Sequence, residues 1–276
     1  MLGQLVGEVF GTFILILLGD GVVANVGLAP RLNPGAYNWN TITFGWAFAV
    51  IVAVYVSAGV SGAHLNPAVT IALAAKRGFP WGKVAPYIVA QIFGAFLGAA
   101  GVYLVYMNGL QAAGMPNVWC TGPGSAFEVA FWGGLGSGTA GTVSVSYTFL
   151  NCIVAEIFGT AALMWGILAS GDSKNTGLMH NMGPFLVGGT VLAIGLSLGG
   201  PSGYAINPAR DFGPRLFGQL VGTQGLFTTS YWLIPIFAPI VGALIGIFIY
   251  DWLVDANLPK VEPVGRVKTE SSAADD

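Results

Sequence analysis

The feature that most constrains the fold is a short pattern that occurs twice, a Ser-Gly pair followed by three residues and then Asn-Pro-Ala. The copies lie at 61–68 and 202–209. Asn followed by Pro is typical of a helix start, because Asn caps free N–H groups and Pro fits the first turn. Within a membrane, irregular backbone leading into such a start is tolerated mainly beside a water-filled cavity. The pattern therefore predicts two buried helix starts beside a pore.

The composition indicates that lipid is the solvent of this chain. It has 276 residues, of which 54% are hydrophobic and 8% are charged, whereas soluble domains carry about 25% charged residues. The formal net charge of −2 gives no basis for nucleic-acid binding. The two cysteines, Cys120 and Cys152, provide neither a disulfide framework nor the spacing of metal ligands.

Apolar runs define the predicted spans. Runs long enough to cross a hydrocarbon core of roughly 30 Å fall at about 3–27, 40–60, 84–107, 148–170, 183–201 and 229–254. Two shorter runs, at about 66–76 and 207–217, would cross only about half of the core as helices. The predicted fold class is an all-α membrane protein with six transmembrane helices and two re-entrant half-helices.

An internal repeat relates the two halves of the chain. The sequence EVFGT at 8–12 recurs as EIFGT at 156–160. Each copy holds three spans and one half-helix, and an odd number of spans gives the copies opposite orientations, which makes the repeat inverted. The two half-helices are then expected to enter from opposite faces and to meet near the middle of the membrane.

The domain boundaries and the orientation follow from the repeat and from the basic residues. We expect one channel domain over 1–254, a polar cytoplasmic tail at 255–276, and inverted repeats at about 3–107 and 148–254 joined by an external loop at 108–147. Most basic residues fall on one side of this arrangement: Lys76, Arg77, Lys83, Lys174, Lys260, Arg266 and Lys268. Only Arg31 and Arg215 fall near the other side. The positive-inside rule then places both termini in the cytoplasm.

Two helix N-termini that face each other concentrate partial positive charge at the centre of the membrane. Asn66 and Asn207 would each have an amide NH₂ left to donate to a permeating oxygen. A cation or hydronium ion meets a barrier there, while water or a neutral hydroxyl compound meets donors. Two re-entrant caps without conduction are the alternative.

With its paired Asn-Pro-Ala triplets and inverted repeat, the chain resembles the aquaporin (major intrinsic protein) family over about residues 3–254, in particular the glycerol-conducting branch. The resemblance implies an aquaporin-like channel in the cell (plasma) membrane, a homotetramer with one pore per subunit. It implies passage of glycerol, water and other small neutral solutes, with no cofactor, metal ion or enzymatic activity. The motif residues are Asn66, Pro67, Ala68, Asn207, Pro208 and Ala209.

The same resemblance implies that the narrow selectivity filter consists of Trp46, Gly195, Tyr204 and Arg210. Arg210 offers a fork of donors to hydroxyl oxygens, and the two aromatic rings would face the carbon backbone of a solute. Gly195 supplies no side chain, which would leave room for a solute wider than water. Asp211 also matches the glycerol branch.

One position departs from the glycerol branch, which often has phenylalanine where this chain has Tyr204. A hydroxyl there is expected to make the apolar wall more polar and slightly narrower. Hydrogen peroxide, urea and undissociated lactic acid therefore remain alternatives to glycerol as the main solute.

The remaining polar residues have more than one interpretation. The resemblance implies that Glu8 and Glu156 bond to backbone groups of the two re-entrant loops, whereas a proton-coupled secondary transporter would use such carboxylates for coupling. His64 is implied to line the pore, and a hydrogen-bonded loop histidine is the alternative. Asp20 has no pairing partner that the sequence reveals. No Ser-His, Cys-His or metal-ligand set converges, which argues against an intramembrane enzyme.

Overall fold

A computed structural model describes residues 1–28, 37–124, 127–133, 139–145, 147–172, 174–175 and 181–259, with backbone only for 127–133 and 139–145. Arg31 and the tail from residue 260, on which part of the predicted orientation depends, lie outside these residues.

The described chain is built from α-helices. They are α1 (Leu2–Leu28), α2 (Trp39–Ser61), α3 (Pro67–Lys76), α4 (Trp81–Ala112), α5 (Phe149–Gly171), α6 (Gly183–Leu198), α7 (Pro208–Leu220) and α8 (Ile234–Leu253). Short 3-10 turns at Ser230–Leu233 and Asp255–Asn257 flank α8. Two strands, β1 (Phe127–Gly133) and β2 (Thr139–Val145), form an antiparallel hairpin that pairs Phe127 with Val145 and Gly133 with Thr139.

The predicted helical fold is confirmed, with two adjustments. Five spans of the described chain are long and apolar enough to cross a membrane. The run at 183–201 is helical only as far as Leu198, so α6 has 16 residues and rises about 24 Å. It ends early because the chain must then extend toward the second Asn-Pro-Ala triplet. The segment at 108–147, expected to be a loop, begins with the last turn of α4 and contains the β1–β2 hairpin.

The two halves pack in the same way. Helix α1 lies against α2 and α4, and α5 lies against α6 and α8. A Cβ added to Gly94 would overlap the carbonyl oxygen of Val9, and one added to Gly242 would overlap that of Ile157. Backbones therefore touch directly at matching places in the two repeats, which is the packing that small residues allow in membrane helices.

The half-helices α3 and α7 begin together and end apart. Asn66 caps α3 and Asn207 caps α7, each with Pro at the first helical position. At its far end α3 pairs Arg77 with Asp251 near the C-terminal end of α8. Helix α7 runs to the other end, where the Phe212 ring lies 6.3 Å from that of Trp232. The predicted inverted arrangement is thus present.

Candidate pore and selectivity site

The tips of α3 and α7 are joined by their capping asparagines. Asn66 Nδ2 donates to the carbonyl oxygen of Ile206, and Asn207 Nδ2 donates to that of Leu65, both at 2.8 Å. The Asn66 side-chain oxygen accepts from Ala68 N. Each amide has two N–H groups, so one remains on each residue for a permeating oxygen. The expectation of a free NH₂ is therefore corrected to a single free N–H per asparagine.

The segments leading into the two tips have the same unusual backbone. Residues Ala63 and Leu65 have φ of 50° and 51°, and the corresponding Tyr204 and Ile206 have φ of 41° and 45°. Left-handed φ is uncommon for residues other than glycine. Its occurrence at matching positions in both copies indicates that the surroundings impose it.

Two buried carboxylates provide part of that constraint. Glu8 accepts from His64 N at 3.0 Å and Leu65 N at 2.8 Å. Glu156 accepts from Ala205 N at 2.8 Å and Ile206 N at 2.7 Å. Both glutamates are fully buried. The N–H groups of both segments are thus bonded to the carboxylates, and residues of both segments line the cavity beside the two tips.

That cavity has a volume of about 280 Å³ and runs alongside both tips. Its polar lining comes from His64, Asn66, Asn207 and Arg210, with Ser170 and Asn181, and much of the rest is aliphatic. The aliphatic lining residues include Leu15, Val50, Val54, Leu163, Val187 and Val191. Both repeats therefore contribute polar and aliphatic side chains to the lining of this cavity.

Arg210 and Trp46 lie together at this cavity. The Arg210 Cζ atom is 4.0 Å from the centroid of the Trp46 ring, within the range of a cation–π contact. Arg210 Nη1 lies 3.5 Å from the carbonyl oxygen of Trp119. Within the described part of the chain, Nε and Nη2 have no hydrogen-bond partner, so they are free to serve a solute.

Gly195 lies behind Tyr204. A Cβ at position 195 would lie 2.8 Å from Tyr204 Cζ and 2.8 Å from Thr43 Cγ2, closer than van der Waals contact allows. Trp39 closes the same corner, with its indole N–H on the Gly195 carbonyl oxygen at 2.9 Å. The missing side chain of Gly195 therefore makes room for the Tyr204 ring, and Gly195 is absent from the described cavity lining.

The Tyr204 hydroxyl has neither solvent exposure nor a hydrogen-bond partner among the described residues. Tyr204 lines the cavity, but its oxygen does not. The expectation that this hydroxyl makes the solute-facing wall more polar is therefore wrong, because the ring inserts its polar end into the protein.

Asp211 holds a loop against α7. Its carboxylate accepts from Thr121 N at 2.8 Å and from Thr121 Oγ1 at 2.6 Å. It also pairs with Arg215, whose Nε donates to it at 2.8 Å. Arg215 in turn donates to the carbonyl oxygens of Thr121 and Leu226. Asp211 thus fixes the loop segment next to Trp119 against α7.

His64 combines both interpretations that the sequence left open. It lines the cavity, and its Nδ1 lies 3.1 Å from Thr70 Oγ1. The ring packs against Phe79 and Tyr87, with centroid distances of 4.6 and 5.2 Å. His64 is therefore a cavity-lining residue whose ring is fixed by Thr70, Phe79 and Tyr87.

Sequence reasoning missed Trp119, Thr121 and the role of Arg215. Asp211 and Arg215 stand four positions apart on one half-helix, a spacing that favours an ion pair. This pair could have been found from the sequence. The two loop residues could not, because nothing local marks which loop segment reaches α7. Asp20 does have a partner, since Arg210 Nη1 lies 3.6 Å from its Oδ1.

The fold and this site define a helical, multi-pass membrane channel with two inverted repeats. The sequence profile described as "Major intrinsic protein" matches residues 1–250. The chain belongs to the major intrinsic protein family.

Individual relatives agree with this membership. The chain is 44% identical over 252 residues to a "Probable glycerol uptake facilitator protein" of Thermotoga maritima, covering 89% of this chain and 97% of the relative. It is 40% identical to "Glycerol uptake facilitator protein 3" of Lactiplantibacillus plantarum, covering 91% and 96%. Among solved structures it is similar to the aquaglyceroporin from Plasmodium falciparum, with a TM-score of 0.79, 31% identity and coverage of 92% and 96%.

Proposed function

We propose that this chain is a passive channel through which glycerol, other small neutral solutes and water diffuse down their gradients. The observation that carries the proposal is the crossed pair of hydrogen bonds from Asn66 and Asn207 beside a continuous cavity. The names of the relatives from Thermotoga maritima and Lactiplantibacillus plantarum support glycerol as the solute.

The two sides of the cavity suit an amphipathic solute. Glycerol has hydroxyl groups along one edge and C–H groups along the other. Arg210 and the remaining N–H of each asparagine would donate to the hydroxyl oxygens, while the aliphatic lining and the faces of Trp46 and Tyr204 would contact the carbons. A solute in this single file exchanges hydrogen bonds with water for hydrogen bonds with protein, so its barrier stays low.

Ions and protons would be excluded at the same two places. The N-terminal ends of α3 and α7 present partial positive charge where they meet. A cation that sheds its water there finds donors where it needs acceptors. A water molecule between Asn66 and Asn207 accepts from both, which orients it against passing a proton along the file.

We assign the narrow filter to Trp46, Gly195, Tyr204 and Arg210, with two refinements from the packing. Gly195 acts through Tyr204, since that ring occupies the space beside it. Tyr204 presents a ring face and keeps its hydroxyl buried. The wall opposite Arg210 is thus apolar, which favours glycerol over the alternatives of urea, hydrogen peroxide and lactic acid.

The two buried glutamates serve as supports for the pore-lining segments in this proposal. Glu8 receives four donors, from Ser61, His64, Leu65 and Gln91. Glu156 receives three, from Ser202, Ala205 and Ile206. Two of the donors to each glutamate are backbone N–H groups of the segment that leads into a capping asparagine, so each carboxylate holds that segment in place.

The surroundings are also part of the proposal. Large apolar side chains cover the outer surface, including Leu104, Phe158 and Phe237, and we assign this surface to the lipid of the cell (plasma) membrane and to neighbouring subunits of a homotetramer. Lys76, Arg77 and Lys174 lie at one end with Asp251 and Asp255. The hydrogen bond to Asp251 raises the pKa of Arg77. By the positive-inside rule this end is cytoplasmic, together with both termini.

The solute is tested by light-scattering swelling of proteoliposomes with glycerol, urea and lactic acid across a range of pH. We expect glycerol to enter well above the rate of empty liposomes and to rank first among the three. Fast water flux with glycerol flux no greater than in empty liposomes would contradict the glycerol assignment. Faster urea or lactic acid would replace glycerol as the main solute.

A further inference from the structure

Asp20 is a buried acid that the pore architecture described so far does not use. It lies in α1, its side chain is fully buried, and neither carboxylate oxygen has a hydrogen-bond partner among the described residues. Burying such a group without hydrogen bonds is costly, and most buried polar groups in proteins are satisfied. Its counterpart in the second repeat is Leu168, so the inverted repeat does not require an acid here.

The charged group that Asp20 faces is the solute-facing arginine. Arg210 Nη1 lies 3.6 Å from Asp20 Oδ1. Trp46 covers one face of the guanidinium, and Gly19, next to Asp20, is where α1 meets that tryptophan ring. Asp20 is not part of the described cavity lining. It therefore lies behind Arg210, out of reach of a solute, and acts on the pore only through the arginine.

The other acidic groups near Arg210 do not offset its charge. Asp211 is bound by Arg215 and by both donors of Thr121. The Cys120 thiol is also near Arg210. Burial raises the pKa of this thiol, so it stays neutral. Asp20 is thus the acid available to offset Arg210, and no second cation competes for it among the described residues.

We propose that Asp20 is a specificity-determining positioning residue whose charge decides whether Arg210 presents a net positive charge to the pore. The inference rests on the proposed channel function. With Asp20 ionised, the pair is neutral and Arg210 acts as a directional donor for hydroxyl groups. Without that negative charge, the buried guanidinium attracts and holds a small anion, because Coulomb interactions are strong where water is excluded. An anion held in a single file blocks the solute behind it.

The test measures glycerol flux into proteoliposomes in sodium nitrate and, at equal ionic strength, in sodium gluconate, whose anion is too large to enter. In the Asp20→Asn and Asp20→Leu variants we expect nitrate to lower glycerol flux about fivefold at every pH, as an uncompensated buried charge implies. Wild type should show little sensitivity to nitrate, because the Asp20 carboxylate lies 3.6 Å from Arg210 Nη1 and offsets its charge. Asp20→Glu should restore the wild-type pattern.

Controls separate this effect from others. Asp251→Asn removes an acid at the far end of α8 and should leave nitrate sensitivity unchanged. His64, the titratable group of the cavity lining, is present in all of these variants, so the difference between wild type and Asp20→Asn isolates Asp20. Wild-type glycerol flux in gluconate tests the channel function separately.

Identical responses to nitrate in wild type and Asp20→Asn at every pH would overturn the proposal. So would a loss of flux in the variants that is equal in both salts, since that indicates a structural role alone. If neither substituted chain folds, wild type still decides: block of its glycerol flux by nitrate contradicts the proposal, because the pair of Asp20 and Arg210 should hold no anion.

Discussion

The Tyr204 ring occupies the space that a side chain at Gly195 would take, with Tyr204 Cζ 2.8 Å from the position of a Cβ on Gly195. Two residues nine positions apart thus form one unit of the pore wall. Tyr204 can stand there because its own backbone is left-handed and because α6 offers a glycine at the point of contact.

A side chain at position 195 should therefore displace the Tyr204 ring and narrow the pore. In Gly195→Ala the new methyl group must displace the Tyr204 ring, because Thr43 Cγ2 lies equally close at 2.8 Å and leaves no other space. We expect glycerol flux to fall at least about tenfold, the effect of roughly 1.4 kcal/mol or more on the barrier, and water flux to fall less. Gly189→Ala is the matched control on α6, since a Cβ there meets nothing within 4 Å. Equal fluxes in both variants would contradict this packing argument.

The Tyr204 hydroxyl should contribute little to solute choice. Tyr204→Phe removes a buried oxygen that has no hydrogen-bond partner among the described residues, so we expect an unchanged ranking of glycerol, urea and lactic acid. Thermal unfolding in detergent should be unchanged or shifted upward, because an unpaired buried polar group costs about 1–3 kcal/mol. A reversed ranking would show that the hydroxyl reaches the solute.

Tyr231→Phe provides the contrast for that measurement. The Tyr231 hydroxyl donates to the Ser202 carbonyl oxygen at 2.9 Å and lies 3.1 Å from Thr121 Oγ1. Its loss leaves a buried carbonyl oxygen unpaired, so we expect this variant to be destabilised by about 1–3 kcal/mol.

Glu8→Gln and Glu156→Gln should have similar effects, since both side chains support a pore-lining segment. A glutamine has one acceptor oxygen and must point its NH₂ at a backbone N–H that the carboxylate had bonded. We expect each variant to lose flux and about 1.5–3 kcal/mol of stability, the value of a hydrogen bond to a charged group. The measurement is glycerol flux together with thermal unfolding, with and without a pH gradient. Flux in wild type that follows the pH gradient, and that one substitution abolishes, would favour a coupled transporter.

We expect the contributions of Asp211 and Arg215 to the stability of the protein to depend on each other. Asp211→Asn leaves Arg215 without its buried counter-charge, which costs about 3–5 kcal/mol. Replacing both residues, with Asp211→Asn and Arg215→Met, removes the stranded charge and should recover part of that loss. Chemical unfolding of the purified single and double variants measures the free energy of unfolding of each. If the changes in free energy of the two single variants simply add in the double variant, the proposed coupling of the two residues is contradicted.

The helices were predictable because their determinants are local. Apolar run length gave the long spans, and the Asn66 and Asn207 caps gave the starts of α3 and α7. The β1–β2 hairpin and the early end of α6 were missed. A glycine-rich segment does not reveal pairing, and the apolar sequence continues past Leu198 although the helix does not.

The internal repeat and the family resemblance were enough to predict which residues form the site, but not the contacts that these residues make. Asp20 and Arg210 are far apart in the sequence, and no local pattern predicts a contact between them. The same holds for Thr121 on Asp211. For Gly195 the sequence predicted open space, whereas the fold places the Tyr204 ring there, because packing decides which neighbour fills a gap.

The central claim, passive diffusion through one pore between the two asparagine caps, is tested most directly by the concentration dependence of glycerol flux in wild-type proteoliposomes. The measurement is made with and without a potassium diffusion potential. The account predicts an initial rate that rises in proportion to glycerol concentration and is the same at both potentials. A rate that saturates and follows the potential would contradict it.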